Sequence, residues 1–221
     1  MNKHKLFLNG EWLDSASGET FEDINPATLE PIGLFQKASM DDVNHAVDSA
    51  EEAFDYWRTT PPPQRAKILY RAARLLEERK EELARLLTME NGKVLPEARG
   101  DVQEAIDMAY YAAGEGRRLF GETAPSELPN KFCMTVRRPI GVVGLITPFN
   151  FPLAIPAWKI MPALISGNTV VLKPSSDTPL LAIELIKILS HAGVPGGVIN
   201  LVTGVGGEAG AALVKSRKVK A

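Results

Sequence analysis

Between Pro139 and Ser176 this chain runs for 38 residues with only two charged side chains, Lys159 and Lys173. Its opening part, Pro139 to Trp158, is 20 residues without a charge, the length of a membrane span. Pro139, Pro148, Pro152 and Pro156, together with Gly141 and Gly144, exclude a single regular helix there. The stretch must be a strand, a turn and a new element.

The runs that follow have the same character. Val142 to Thr147, Thr169 to Lys173 and Val198 to Val202 are short, β-branched and nearly continuously apolar, with helical patterns near Ile155 to Ile165 and Pro179 to Ala192 between them. That alternation indicates βαβαβ and a parallel sheet buried on both faces. His191-Ala192-Gly193 with Pro195 behind it is a helix stop, which makes His191 a C-terminal cap. After Gly206 a helix-like stretch runs to Lys215, and Lys218 to Ala221 resembles the opening of a further strand.

Upstream, to about Glu115, the pattern is charge-rich and helical. Lys5 to Trp12 and Thr20 to Ile24 are short enough for edge strands. Ser39 with Asp42 three residues on is a capping start, and Val43, Ala46, Val47, Ala50, Phe54 and Trp57 recur at helical spacing. Pro61-Pro62-Pro63 opens a second helical run that ends at Asn91-Gly92, and Pro96 begins a third. The intervening Glu, Arg and Lys are expected to form a solvated face with i,i+4 pairs. From Phe132 the chain turns to strand: Phe132, Met134 and Val136 alternate as on a half-buried strand, so Cys133 is expected to be ordinary packing.

Composition narrows the function classes. With 25 basic and 27 acidic side chains there is no electrostatic case for nucleic acid or an anionic membrane as partner. One cysteine and three histidines exclude a disulfide framework and leave no basis for a metal centre. The apolar run Leu6 to Leu8 is too short for a signal peptide, and a reducing cytoplasm fits best.

Three features of the second half carry chemistry. Lys173 ends a buried strand without an acid to pair, so it either snorkels to solvent or meets an anion, and in open α/β sheets ligands bind at the carboxyl ends of strands. Asn150, held between aromatics and prolines in Thr147-Pro148-Phe149-Asn150-Phe151-Pro152, is either turn chemistry or a donor toward a developing oxyanion. Gly204 to Gly210 follows a strand and fits Gly-x-Gly-x-x-Ala, a weak signal alone, whose backbone amides suit a pyrophosphate.

Taken in order, Leu145 to Leu153, Ala157-Trp158-Lys159, Pro162-Ala163-Leu164, Gly167 to Ser175, Gly193 to Asn200 and Gly204-Val205-Gly206 resemble the NAD(P)-dependent aldehyde dehydrogenase superfamily. The similarity reaches back to Phe7 to Trp12 and Asn25 to Thr28, and so covers nearly the whole chain. The resemblance implies an α/β fold: a Rossmann-like parallel sheet with an N-terminal helical region and a β arm. Residues 1–118 would be the helical part of the cofactor domain with short edge strands, 119–138 an oligomerisation-arm hairpin, and 139–221 the dinucleotide-binding core. It further implies that Asn150 contributes to the oxyanion hole, that Ile146, Thr147, Pro148 and Phe149 line the cofactor cleft, and that Lys173 binds the adenosine ribose or its phosphate. Gly206 and Gly210 would pack near the adenosine. Ser176 stands where many NAD-preferring members carry a ribose-binding glutamate, which implies that NADP is tolerated or preferred beside NAD.

The implied activity is oxidation of an aldehyde or semialdehyde to the carboxylic acid by a homo-oligomer, dimer or tetramer. The family's nucleophilic cysteine and glutamate base would fall beyond Ala221, and Cys133 matches neither, so these 221 residues alone are expected to be inactive. The rival reading is a non-catalytic dinucleotide-binding or interaction module.

Overall fold

The computed structural model describes residues 2–221. Five strands come first: β1 (Lys3–His4), β2 (Leu6–Leu8), β3 (Glu11–Leu13), β4 (Thr20–Ile24) and β5 (Pro31–Gln36). Four helices follow: α1 (Met40–Thr59), α2 (Pro62–Glu78), α3 (Lys80–Asn91) and α4 (Leu95–Gly114). A short hairpin, β6 (Thr123–Ala124) and β7 (Cys133–Met134), leads to β8 (Val142–Ile146), α5 (Ala154–Ile165), β9 (Thr169–Lys173), α6 (Leu180–Ala192) and β10 (Ile199–Leu201). The last elements are a π-helical turn, Gly206–Gly210, and α7 (Ala211–Lys215).

The apolar runs form the expected α/β core. β8, β9 and β10 are parallel neighbours, and beyond β8 Val219 makes an isolated parallel bridge to Val142 where the sequence suggested a further strand. The strand period of two sorts the side chains between two helical layers. Val170 and Leu172 of β9, with Phe7 of β2, pack against α2, α4, α5 and α6; Val171, with Leu6 and Leu8, packs against α1 and α7. Burial on both faces explains why Val170, Val171 and Leu172 are apolar in succession.

Several elements depart from the sequence expectation. β2 is not an edge strand: it lies antiparallel between β10 and β3, held where the buried Asn200 accepts the Asn9 amide at 2.9 Å. β5, which the sequence reading omits, pairs with β1 and β4 in a separate sheet. The helical run expected from Pro61 to Asn91 breaks at Arg79 (φ −99°, ψ 11°), whose guanidinium joins Glu82 of α3 to Glu184 of α6. The stretch after Gly206 is a π-turn before it becomes α7, not one helix.

The half-buried strand expected around Cys133 is also corrected. Phe132, Met134 and Val136 are exposed, and so is Cys133. Two strands of two residues each pair only with one another, so neither face of the hairpin has an element to pack against. Among the described residues, no helix is long and apolar enough to cross a membrane.

Candidate functional site

β8 and β9 end together, with Ile146 opposite Lys173, and the chain leaves β8 into the turn 147–153. The Thr147 amide donates back to the Lys173 carbonyl at 3.2 Å, closing the two strand ends. Here the sheet offers what the carboxyl edge of parallel strands generally offers, a crevice between diverging chains. Gly204 (φ +138°) turns the third strand toward the same edge, a conformation that an L side chain rarely adopts. Gly210 then comes alongside: a Cβ there would lie 3.9 Å from Ile146 Cδ1 and 4.0 Å from Lys173 Cδ.

Lys173 is only 4% exposed, and among the described residues its ammonium has neither a salt bridge nor a hydrogen bond. Burial pushes its pKa below the usual lysine value; the charge of Asp177 opposes that shift without forming an ion pair. Thr147 is also buried, and its hydroxyl has no partner. A lysine largely withdrawn from solvent without an ion pair, beside a fully buried hydroxyl without a partner, forms a site that an anion or a hydrogen-bonding ligand would complete. Ser176 is half-buried nearby in sequence and neutral.

The turn itself is held from outside while its centre stays free. Asn91 at the end of α3 donates to the Phe149 carbonyl at 2.8 Å, and Lys159 of α5 reaches the Ile146 carbonyl at 3.3 Å. Asp101 of α4 accepts the Ala154 amide at 2.8 Å; it caps α5, which has no side-chain cap of its own. Lys93, between α3 and α4, pairs with Asp101 at 3.0 Å and lies 3.6 Å above the Phe151 ring. Asn150 is exposed, and its amide makes no hydrogen bond to any described residue.

The structure therefore brings Ile146, Thr147, Lys173 and Gly210 together, with Pro148, Phe149 and Asn150 on the adjoining turn. Gly206 borders open space: nothing lies within 4 Å of where its Cβ would be. Sequence reasoning overlooked Asp177 and the anchors Asn91, Lys93 and Asp101. Only Asp177 carried a local signal, as an acid four residues beyond Lys173. A cavity of about 430 Å³ between the start of α1 and the π-turn contains none of these residues. Its Ser39 and Glu208 are engaged by the α1 cap and by Lys37. Among the described residues no three His, Cys, Asp or Glu side chains converge as a metal-ligand set.

Known proteins share both the sequence and the geometry. Residues 12–221 match the model of the aldehyde dehydrogenase family. The chain is 47% identical over 211 residues to alpha-ketoglutarate semialdehyde dehydrogenase of Haloferax volcanii, covering 95% of this chain and 44% of that protein. It is 44% identical over 215 residues to D-glyceraldehyde dehydrogenase (NADP(+)) of Picrophilus torridus, covering 97% and 44%. Among solved structures, an NADP-dependent enzyme of E. coli superposes with a TM-score of 0.96 at 40% identity, over 99% of this chain and 45% of that one. A point mutant of betaine aldehyde dehydrogenase from Staphylococcus aureus, in complex with NAD+, superposes equally well at 0.96 and 34% identity, over 99% and 45%. The chain thus spans less than half the length of these relatives. Its relatives use NAD+ or NADP+. The chain belongs to the aldehyde dehydrogenase family.

Proposed function

We propose that this chain supplies the cofactor cleft and the oxyanion side chain of an NAD(P)+-dependent oxidoreductase converting an aldehyde or semialdehyde to the carboxylic acid. The observation that carries the reading is Lys173, a largely buried lysine whose ammonium has no anionic partner, at the strand ends beside Ile146 and Gly210. Such a group suits the ribose or phosphate side of a dinucleotide, since an anion replaces the solvation that burial removed. Thr147, Pro148 and Phe149 continue the wall of that cleft, and Gly206 and Gly210 leave it free of side chains. NAD(P)+, when bound, accepts the hydride.

Asn150 has the opposite task. Its amide N–H is uncommitted, so it is available to donate to the oxygen on which charge develops when a nucleophile adds to the aldehyde carbonyl. The nucleophile is proposed to come from outside residues 1–221, because Cys133 lies exposed on the hairpin. Loss of one donor of this kind lowers kcat by about 10²- to 10³-fold, the expected effect of Asn150→Ala in the active enzyme.

Titrating this chain with NADPH or NADH while following protein fluorescence tests the cofactor reading. Saturable quenching is expected, weakened at least tenfold by Lys173→Ala; quenching that is absent, or indifferent to that change, removes it. Because Ser176 is neutral, a 2′-phosphate meets no carboxylate at that position, Asp177 being the acid whose charge is felt at Lys173, and NADPH should bind at least as well as NADH. Ser176→Glu should reverse that order, and equal affinities in the variant would refute the assignment. The alternative of a binding module without catalysis has no separate observation in its favour.

A further inference from the structure

The turn carrying Asn150 presents a physical problem. Its central amide must stay free for a substrate, so Asn150 cannot contribute to its own immobilisation. The downstream flank is also weak: Leu153, the residue that precedes α5, offers no side-chain cap, and α5 has no acid in its first turn. A donor that is to stabilise a transition state has to be held in place beforehand, and a displacement of about 1 Å costs up to about 10²-fold in rate.

The restraint comes from the segment that joins α3 to α4. Asp101, 1% exposed, accepts the Ala154 amide at 2.8 Å and so does the work of the missing cap on α5. Lys93 satisfies the second oxygen of the same carboxylate at 3.0 Å while its ammonium sits 3.6 Å over the face of Phe151, the residue next to Asn150. Phe151 in turn stacks against Trp158 of α5, at 6.1 Å between ring centres. Two residues before Lys93, Asn91 holds the Phe149 carbonyl from the other side at 2.8 Å. The two neighbours of Asn150 are therefore gripped by one short segment, residues 91–93, one through its carbonyl and the other through its ring.

We infer that Lys93 is a positioning residue for Asn150: by joining Asp101 to the Phe151 ring, it holds the turn so that the Asn150 amide is presented in a fixed direction. The inference rests on the reading of Asn150 as the oxyanion donor, but its mechanical part stands apart from that reading. Lys93 touches neither substrate nor cofactor in this scheme. An arginine can keep both the carboxylate pair and the cation–π contact, whereas a methionine keeps the stem and loses both.

Two measurements separate the mechanical part from the catalytic one. In this chain, amide hydrogen exchange at Leu153 and Ala154, together with 15N relaxation of the Asn150 side-chain amide, reads the clamp. Lys93→Met should speed exchange at those two amides about tenfold and mobilise Asn150, while the β9 amides stay unchanged; Lys93→Arg should restore both. Phe151→Leu, which leaves the Lys93–Asp101 pair intact, should mobilise Asn150 and spare the exchange at Ala154. A uniform acceleration across the chain, or an Asn150 amide that stays ordered in Lys93→Met, would overturn the inference by making Lys93 merely structural. In the active enzyme, Lys93→Met should lower kcat about tenfold with KM for NAD(P)+ unchanged, and Lys93→Arg should recover it; a changed KM with an unchanged kcat counts against positioning. If Asn150→Ala leaves kcat intact, the oxyanion reading fails and the exchange data still decide the clamp.

Discussion

Glu90 and Asp23 are buried carboxyls, 2% and 3% exposed, in a region of the sequence that reads as a solvated charged surface. Glu90 accepts the amides of Leu180 and Leu181 at the first turn of α6, while one oxygen of Asp23 has no partner. Burial, and then the neighbouring Asp23 charge, push the Glu90 pKa well above the usual carboxylate range; burial pushes Asp23 up to about 6. The folded state therefore holds protons that the unfolded chain has released, so stability is greatest below the unfolded pKa values and falls as pH rises through the folded ones. Urea midpoints of this chain should drop between pH 4 and pH 8, by about 1 to 3 kcal/mol once converted to free energy. Glu90→Gln, which keeps an acceptor for the α6 amides and removes the charge, should flatten that decline; an unchanged slope would show that Glu90 is not its source. Arg65 gives the same lesson with the opposite charge. Its buried guanidinium meets no acid, and bonds instead to carbonyls near the ends of α1 and α5 (Trp57, Thr60 and Ile165). Spacing along the chain predicts the surface pairs, and Glu81–Arg85 is one, but the buried Arg65 also needs the Ile165 carbonyl, a hundred residues away.

Element boundaries were legible wherever the stopping device is local. Ser39 and Asp42 form the expected capping box, and the same Asp42 carboxylate accepts the Ser15 hydroxyl at 2.6 Å, which ties the start of α1 to the N-terminal strands. Ser39→Ala should cost about 0.5 to 2 kcal/mol in chemical denaturation, as for N-caps generally, and no loss would mean that Ser15 and Ala16 alone orient Asp42. Gly193, in the left-handed region at φ +100°, ends α6 where the His191-Ala192-Gly193 signal placed the stop. The break at Arg79 has no such marker. There the Arg79 guanidinium meets Glu82 and also Glu184, which lies on another helix more than a hundred residues downstream. The hairpin failed for a related reason: alternation specifies which side chains share a face, not whether anything covers that face.

For the molecule as a whole, the uncovered hairpin is the feature that a single chain leaves unresolved. Phe120, Phe132, Met134 and Val136 are all exposed there, and exposed apolar side chains gathered in one segment mark an interaction surface. We propose that a second copy covers it, in a homo-oligomer of two or four chains. Phe132→Lys with Met134→Lys should then lower the mass measured by sedimentation without loss of helical circular dichroism, and an unchanged mass would rule the hairpin out as the contact. The sequence by itself determined the order of strands and helices in the second half, the caps and stops, and the strand-end position of Lys173. Each of those depends on neighbours within a few residues, through apolar period, proline and glycine geometry, or side-chain to backbone hydrogen bonds. Only the tertiary structure decided that β2 inserts beside β10, that Asp101 caps α5, that Lys93 reaches Phe151, and that Glu90 and Asp23 are buried together. Those contacts join residues from 53 to 194 positions apart. Their free energy comes from satisfying buried polar groups after the layers have packed, which no local pattern encodes.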